Sequence, residues 1–96
     1  MPAYFIADIT IKEPEKYKEY LAGFMEIFER HGGVLKAVSS APVEAVEGDW
    51  SPSGIVLMEF PTLSDAKAWK DDPDYIALAQ IRHASADTKM ILVEGL

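Results

Sequence analysis

The sequence predicts an α+β domain in which an antiparallel sheet carries helices on one face. Three observations lead there. Strand-like segments open and close the chain, helix-like stretches lie between them, and the helical stretches follow apolar strand-like runs. With 96 residues there is room for one core, so 1–96 is read as a single domain.

A first strand is expected over 4–11, a run rich in aromatic and β-branched residues. Alternation puts Phe5, Ala7, Ile9 and Ile11 on an apolar face that should meet helices. Tyr4, Ile6, Asp8 and Thr10 then fall on the other face. Pro14 suits a first helical turn, where a missing N–H costs nothing, and Glu13 and Glu15 suit its positive end. Tyr17, Tyr20, Leu21, Phe24, Met25 and Phe28 continue at helical spacing. Arg30, His31 and the Gly32-Gly33 pair supply the stop, so the helix is expected over 14–31.

A second strand is expected over 34–38, a turn over 39–42 and a third extended piece over 43–47, forming a hairpin arm. The stretch 48–54, Gly-Asp-Trp-Ser-Pro-Ser-Gly, is the most loop-like of the chain. Residues 55–60 read as a central strand because they are nearly continuous in apolar side chains. Ser64 is the expected N-cap of a short helix holding Ala66, Ala68 and Trp69. Asp72-Pro73 breaks it and starts another, with Tyr75, Ile76, Leu78, Ala79 and Ile81 as its apolar contacts. The last strand is expected over 89–94.

Strand, helix, strand, strand, helix pair, strand is the order of two split βαβ halves, the ferredoxin-like arrangement. Read consistently, alternation leaves Ile6, Ile55, Leu57, Met90 and Leu92 on the face without helices. Such a patch marks an interaction surface. A second copy of the chain is its expected cover, the two sheets packing face to face as a dimeric α/β barrel.

Composition narrows the partners. The formal charge is −7, from 16 acidic against 9 basic side chains, which argues against nucleic acid and anionic membrane surfaces. Without cysteine there is no thiolate nucleophile or thiolate metal site. Only His31 and His83 are present, with no metal-ligand spacing, so neither metal nor cofactor is expected. No leader pattern is read in Met1-Pro2-Ala3-Tyr4-Phe5 and no apolar run reaches spanning length, so a cytoplasmic location is the expectation.

The chain resembles a known family along nearly its whole length. The resemblance is carried by Pro14-Glu15-Lys16-Tyr17-Lys18-Glu19-Tyr20, Gly32-Gly33 and Glu47-Gly48-Asp49-Trp50-Ser51-Pro52. It continues through Glu59-Phe60-Pro61, Ala66 with Trp69, Asp74-Tyr75, Arg82 and Val93-Glu94-Gly95. In order and spacing these are similar to the family described as domain of unknown function 1330, within the dimeric α/β-barrel superfamily. Two positions depart from its pattern. Relatives carry an arginine and two glycines where this chain has Val38-Ser39-Ser40, and a second arginine where it has Ser53. If those arginines hold an anion in relatives, this chain has lost that capacity or changed its ligand. The wider superfamily implies, by fold analogy, cofactor-free monooxygenases, isomerases and dehydratases acting on hydrophobic ring compounds.

Six residues are candidates for chemistry or recognition. Asp8 sits mid-strand, where Asp is depleted, and Glu59 shares its facing. Two carboxylates in one partly desolvated cavity would push one pKa up and make a proton carrier, whereas partner-subunit cations would make them structural ion pairs. Arg82 could clamp a carboxylate or carbonyl, or serve as a helix-end partner of Glu47 or Glu94. His83 is a proton-transfer candidate as a histidine, but also reads as a surface or helix-end residue. Tyr20 could donate a hydrogen bond into a cavity or pack as an apolar body with a polar tip. Trp50 reads as an anchor on the partner or a lid over a pocket. Two classes of function follow. One is a homodimeric module binding a small molecule. The other is a cofactor-independent enzyme on a small, partly apolar substrate, with Asp8 or Glu59 moving protons and Arg82 or His83 polarising oxygen.

Overall fold

The computed structural model describes residues 1–39 and 43–96. Seven elements run in order: β1 (Ala3–Ile11), α1 (Pro14–Arg30), β2 (Val34–Val38), β3 (Ile55–Phe60), α2 (Leu63–Asp71), α3 (Pro73–Ser85) and β4 (Ala86–Glu94). The strands form one antiparallel sheet in the order β2-β3-β1-β4. The architecture is ferredoxin-like, and β1 and β3 are central as their apolar runs require.

One face of β1 is closed and the other open. Ala3, Phe5 and Ala7 are buried under the helices, while Tyr4 and Ile6 between them are half-buried. Phe5, Phe24, Phe28, Phe60 and Tyr75 surround Trp69, with ring centroids 4.1–6.0 Å from it. Trp69 itself is 1% exposed, so α2 is held by one aromatic hub rather than by a long stripe.

The stop of α1 is a complete Schellman motif. Gly32 has φ of +79°, its N–H donates to Glu29 O at 3.0 Å, and Gly33 N–H donates to Phe28 O at 3.0 Å. A Cβ on Gly33 would lie 2.5 Å from the Phe28 ring, so the second glycine is required for space. His31 is the helix-end residue the sequence predicts, and it has a further use. Its Nε2 lies 2.8 Å from Asp72 Oδ2, while Arg30 Nη1 reaches Asp72 at 3.3 Å and Asp74 at 3.0 Å. Asp72 Oδ1 meanwhile caps α3 by accepting from Asp74 N–H at 2.9 Å.

That junction has an acid signature. The His31 hydrogen bond first, and the Asp74 N–H second, hold the Asp72 carboxyl below its ordinary value of 3.8. A depressed folded value stabilises above the unfolded pKa and is lost as pH falls through the folded one. Asp72→Asn keeps a capping oxygen and removes the charge. Its melting temperature is expected to lie below wild type at neutral pH and to converge on it in acid, as pH falls through the depressed folded-state value. A gap constant across the titration would show that Asp72 acts only as a cap.

Three sequence expectations are corrected, and a fourth falls largely outside the described residues. The N-cap of α2 is Thr62, whose hydroxyl accepts from Asp65 N–H at 3.1 Å, and Ser64 lies inside the helix. Residues 43–47 form no strand: Val43 and Val46 are exposed and three positions apart, so alternation gives them no common face to bury. The turn expected over 39–42 has 40–42 outside the described residues. Finally, β4 begins at Ala86, and its facing is opposite to that expected. Met90 and Leu92 stand opposite Ala7 and Phe5 on the helix side, so Ile91 and Val93 take the open face. Met90-Ile91-Leu92-Val93 is apolar throughout and carries no phase of its own. Pairing with β1 sets it.

Candidate functional site

The helix face of the sheet is filled at one end and hollow at the other. Phe5 supplies a ring to the aromatic hub, but two residues along β1 the same face carries only Ala7. Ala7 is flanked by Val56 and Met90, neither of which replaces the missing volume. The result is a cavity of about 490 Å³ between this part of the sheet, α1 and α3. A bulge in β2 between Leu35 and Ala37 lets both Leu35 and Val38 turn to the helix side and border it. On α1, Tyr17, Tyr20 and Phe24 repeat at helical spacing and form the facing wall.

Arg82 is the one charged residue among those described on the cavity wall. It follows Tyr75 and Ala79 on the buried stripe of α3, at spacings of four and three, and is 6% exposed. Its guanidinium carbon lies 5.7 Å from the Tyr20 ring centre, a cation–π contact. No carboxylate pairs with it among the described residues, and the helix-end partners considered for it, Glu47 and Glu94, do not reach it. Its Nε has no hydrogen-bond partner, nor has the hydroxyl of Thr88, which borders the same cavity from β4.

Tyr20 is 4% exposed, and its hydroxyl lies 2.7 Å from that of Tyr75. Burial, then the neighbouring Tyr75, pushes the Tyr20 phenol far above its ordinary value. Burial also raises the Tyr17 phenol, opposed in part by Arg82. These phenols stay neutral, so the cavity is apolar with one cationic end.

The other candidates fall elsewhere. Asp8 and Glu59 share the open face, as alternation requires, but Asp8 stands opposite Ile55 and Glu59 opposite Tyr4. Four residues of strand, roughly 13 Å, separate them, so they are not a coupled pair within one protomer. Asp8 Oδ1 accepts from Ser53 N–H at 3.2 Å. The Glu59 carboxylate lies against Tyr4 and pushes that phenol up, chiefly through a hydrogen bond. Asp8, Arg82, His83 and Thr88 do share one boundary, an open polar depression that also includes Asp87 and Lys89. Arg82 therefore separates the apolar cavity from this depression. The exposed His83 approaches Arg82 Nη2 at 3.5 Å. Trp50 is 60% exposed and borders neither hollow. No group of three or more His, Asp or Glu among the described residues could hold a metal ion.

Tyr75 and Thr88 escaped the sequence reading as site residues. The spacing of Tyr75, Ala79 and Arg82 was the available signal for a buried arginine, whereas Thr88 is recognisable only through the register of β4 on β1.

Known proteins add family and fold. The family model described as domain of unknown function (DUF1330) matches residues 2–96. No curated protein matches the sequence. A solved protein of unknown function from Rhodopseudomonas palustris is 19% identical with a TM-score of 0.80, over 99% of this chain and 82% of its own. SnoaB, a cofactor-independent oxygenase from Streptomyces nogalater, is 14% identical with a TM-score of 0.69, over 99% and 93%. A dimeric ferredoxin-like protein of unknown function from Thermobifida fusca is 14% identical with a TM-score of 0.61, over 99% and 92%. At these identities the likeness is one of fold.

Proposed function

The chain belongs to the DUF1330 family, and from that premise we propose that it is a homodimeric protein binding a small, largely apolar molecule between α1, α3 and the sheet. The observation that carries this reading is the cavity of about 490 Å³ left by Ala7. Its size lies within the range of ligand sites, roughly 300–1,000 Å³, and its apolar wall with a few polar groups is the usual lining.

Dimerisation is supported by the open face. Ile6 stands opposite both Leu57 and Ile91, giving an apolar row across three strands, and Ile91 is 62% exposed in one protomer. A twofold-related copy presents the same row and covers it. The Thermobifida fusca protein of the same fold is described as dimeric. Trp50, exposed in the long connection, is assigned to anchoring the partner. No helix among the described residues is long and apolar enough to cross a membrane. A cytoplasmic location belongs to the same proposal.

Native mass spectrometry tests assembly and occupancy together. The expected species is a dimer, with Leu57→Glu giving a folded monomer; a wild-type monomer would sink the assembly. For the cavity, the neutral dye N-phenyl-1-naphthylamine is expected to brighten with wild type and to bind at least about tenfold more weakly to Ala7→Leu, which fills the hollow. Equal binding by both would place the dye, and the site, elsewhere.

One observation favours a second reading, turnover without a cofactor. Asp8, Arg82 and His83 border one depression with Arg82 shared by the cavity, so a proton carrier and a cation lie beside the proposed ligand. On this reading Asp8→Asn abolishes turnover while the dimer persists.

A further inference from the structure

We infer that the molecule bound in the helix-side cavity is an apolar carboxylate carrying a single negative charge, its carboxylate received by Arg82 Nε and the Thr88 hydroxyl. This rests on the cavity reading above and adds the charge and head group of the ligand. The first argument is electrostatic. An arginine only 6% exposed, with no carboxylate at ion-pairing distance among the described residues, is costly, because burial weakens its hydration and no paired charge replaces the lost water. The aromatic face of Tyr20 offsets part of that cost and supplies no hydrogen-bond acceptor to Nε.

The second argument is the hydrogen-bond inventory. Within the described residues, three buried side-chain polar atoms lack partners, and two of them, Arg82 Nε and Thr88 Oγ1, belong to residues that border this one cavity. They come from α3 and β4, so the coincidence is one of place rather than of sequence. Both can donate. What they require is an acceptor with more than one oxygen, and charge-assisted bonds to a carboxylate meet that need with the planar edge a guanidinium matches. A doubly charged head such as a phosphate would leave one charge uncompensated, because no second cation among the described residues borders the cavity. The rest of the ligand must be apolar: Tyr17, Tyr20 and Phe24 offer rings on one side, Ala7, Val56 and Met90 aliphatic surface on the other.

The test uses a matched pair, 2-naphthoate and 2-naphthamide, titrated calorimetrically into the full chain. Wild type is expected to bind the carboxylate at least about tenfold more tightly than the amide, the scale of one charge-assisted hydrogen bond. Arg82→Met abolishes the preference, the carboxylate then binding no more tightly than the amide. Arg82→Lys, which keeps the charge and protects the experiment should the methionine variant fold poorly, retains part of it. Thr88→Val weakens the carboxylate a few-fold and the amide less. Equal affinity of wild type for the two compounds overturns the carboxylate assignment and leaves the cavity standing. Binding of neither, at any concentration reachable for both, overturns the cavity reading and this inference with it.

Discussion

Replacing Arg82 by methionine is expected to stabilise the ligand-free protein while destroying its preference for a charged ligand. Almost every other substitution of a residue 6% exposed would destabilise. Here the native side chain is an unpaired cation facing an apolar hollow, and methionine fills a similar volume without charge. The cation–π contact to Tyr20, about 0.5–2 kcal/mol, is lost, but the desolvation penalty of a buried ion is several kcal/mol. A net gain of about 1–3 kcal/mol is expected, and each kcal/mol raises the melting temperature of a domain this size by roughly 4–8 °C. Thermal unfolding of purified wild type and variant, without added ligand, measures it. A lower melting temperature in the variant would mean that its surroundings compensate the guanidinium, and the electrostatic case for an anionic ligand would fall. A higher one identifies Arg82 as a residue kept at the expense of stability, as binding residues often are.

Trp69→Ala is expected to have the largest destabilising effect of any single substitution in the protein. The indole is 1% exposed and meets five other aromatic rings drawn from β1, α1, β3 and α3. Truncation of a buried Trp costs about 3–5 kcal/mol, much of the roughly 5–15 kcal/mol that holds a typical domain together. Trp69→Phe should cost far less, about 1–2 kcal/mol, because the indole N–H makes no hydrogen bond and only volume is removed. Urea titrations read both. Equal losses would show that the ring as such contributes little, contrary to its packing. Trp69 does not border the Ala7 cavity, so the phenylalanine variant should bind ligand as wild type does.

The candidate residues show where sequence reasoning reached the site and where it stopped. Asp8 and Glu59 were placed on the correct face by alternation, a property of one strand at a time. That they stand four residues apart across the β1–β3 pair is a matter of register, which alternation leaves free by any even number of residues. Tyr20 was legible as part of a helical stripe, but the hydroxyl it meets belongs to Tyr75, 55 positions away. Arg82 was visible as a charged residue on a helix, and charge favours reading such a residue as exposed. Its burial follows from the packing of α3 on α1 and the sheet, and the hollow it faces follows from one small residue, Ala7, on another element.

The sequence by itself therefore determined the three helices and four sheet strands, their order and the facing of β1 and β3, because these depend on local periodicity, caps and breakers. α1 illustrates this, with Pro14 at its start and Gly32-Gly33 past its end acting on backbone they adjoin. Tertiary structure alone decided the phase of β4, the failure of 43–47 to form a strand, the His31–Asp72 junction and the convergence of Arg82 with Thr88. Each depends on a surface supplied by a distant part of the chain. A uniformly apolar strand takes its facing from its neighbour, and a buried cation takes its meaning from the groups that do or do not surround it.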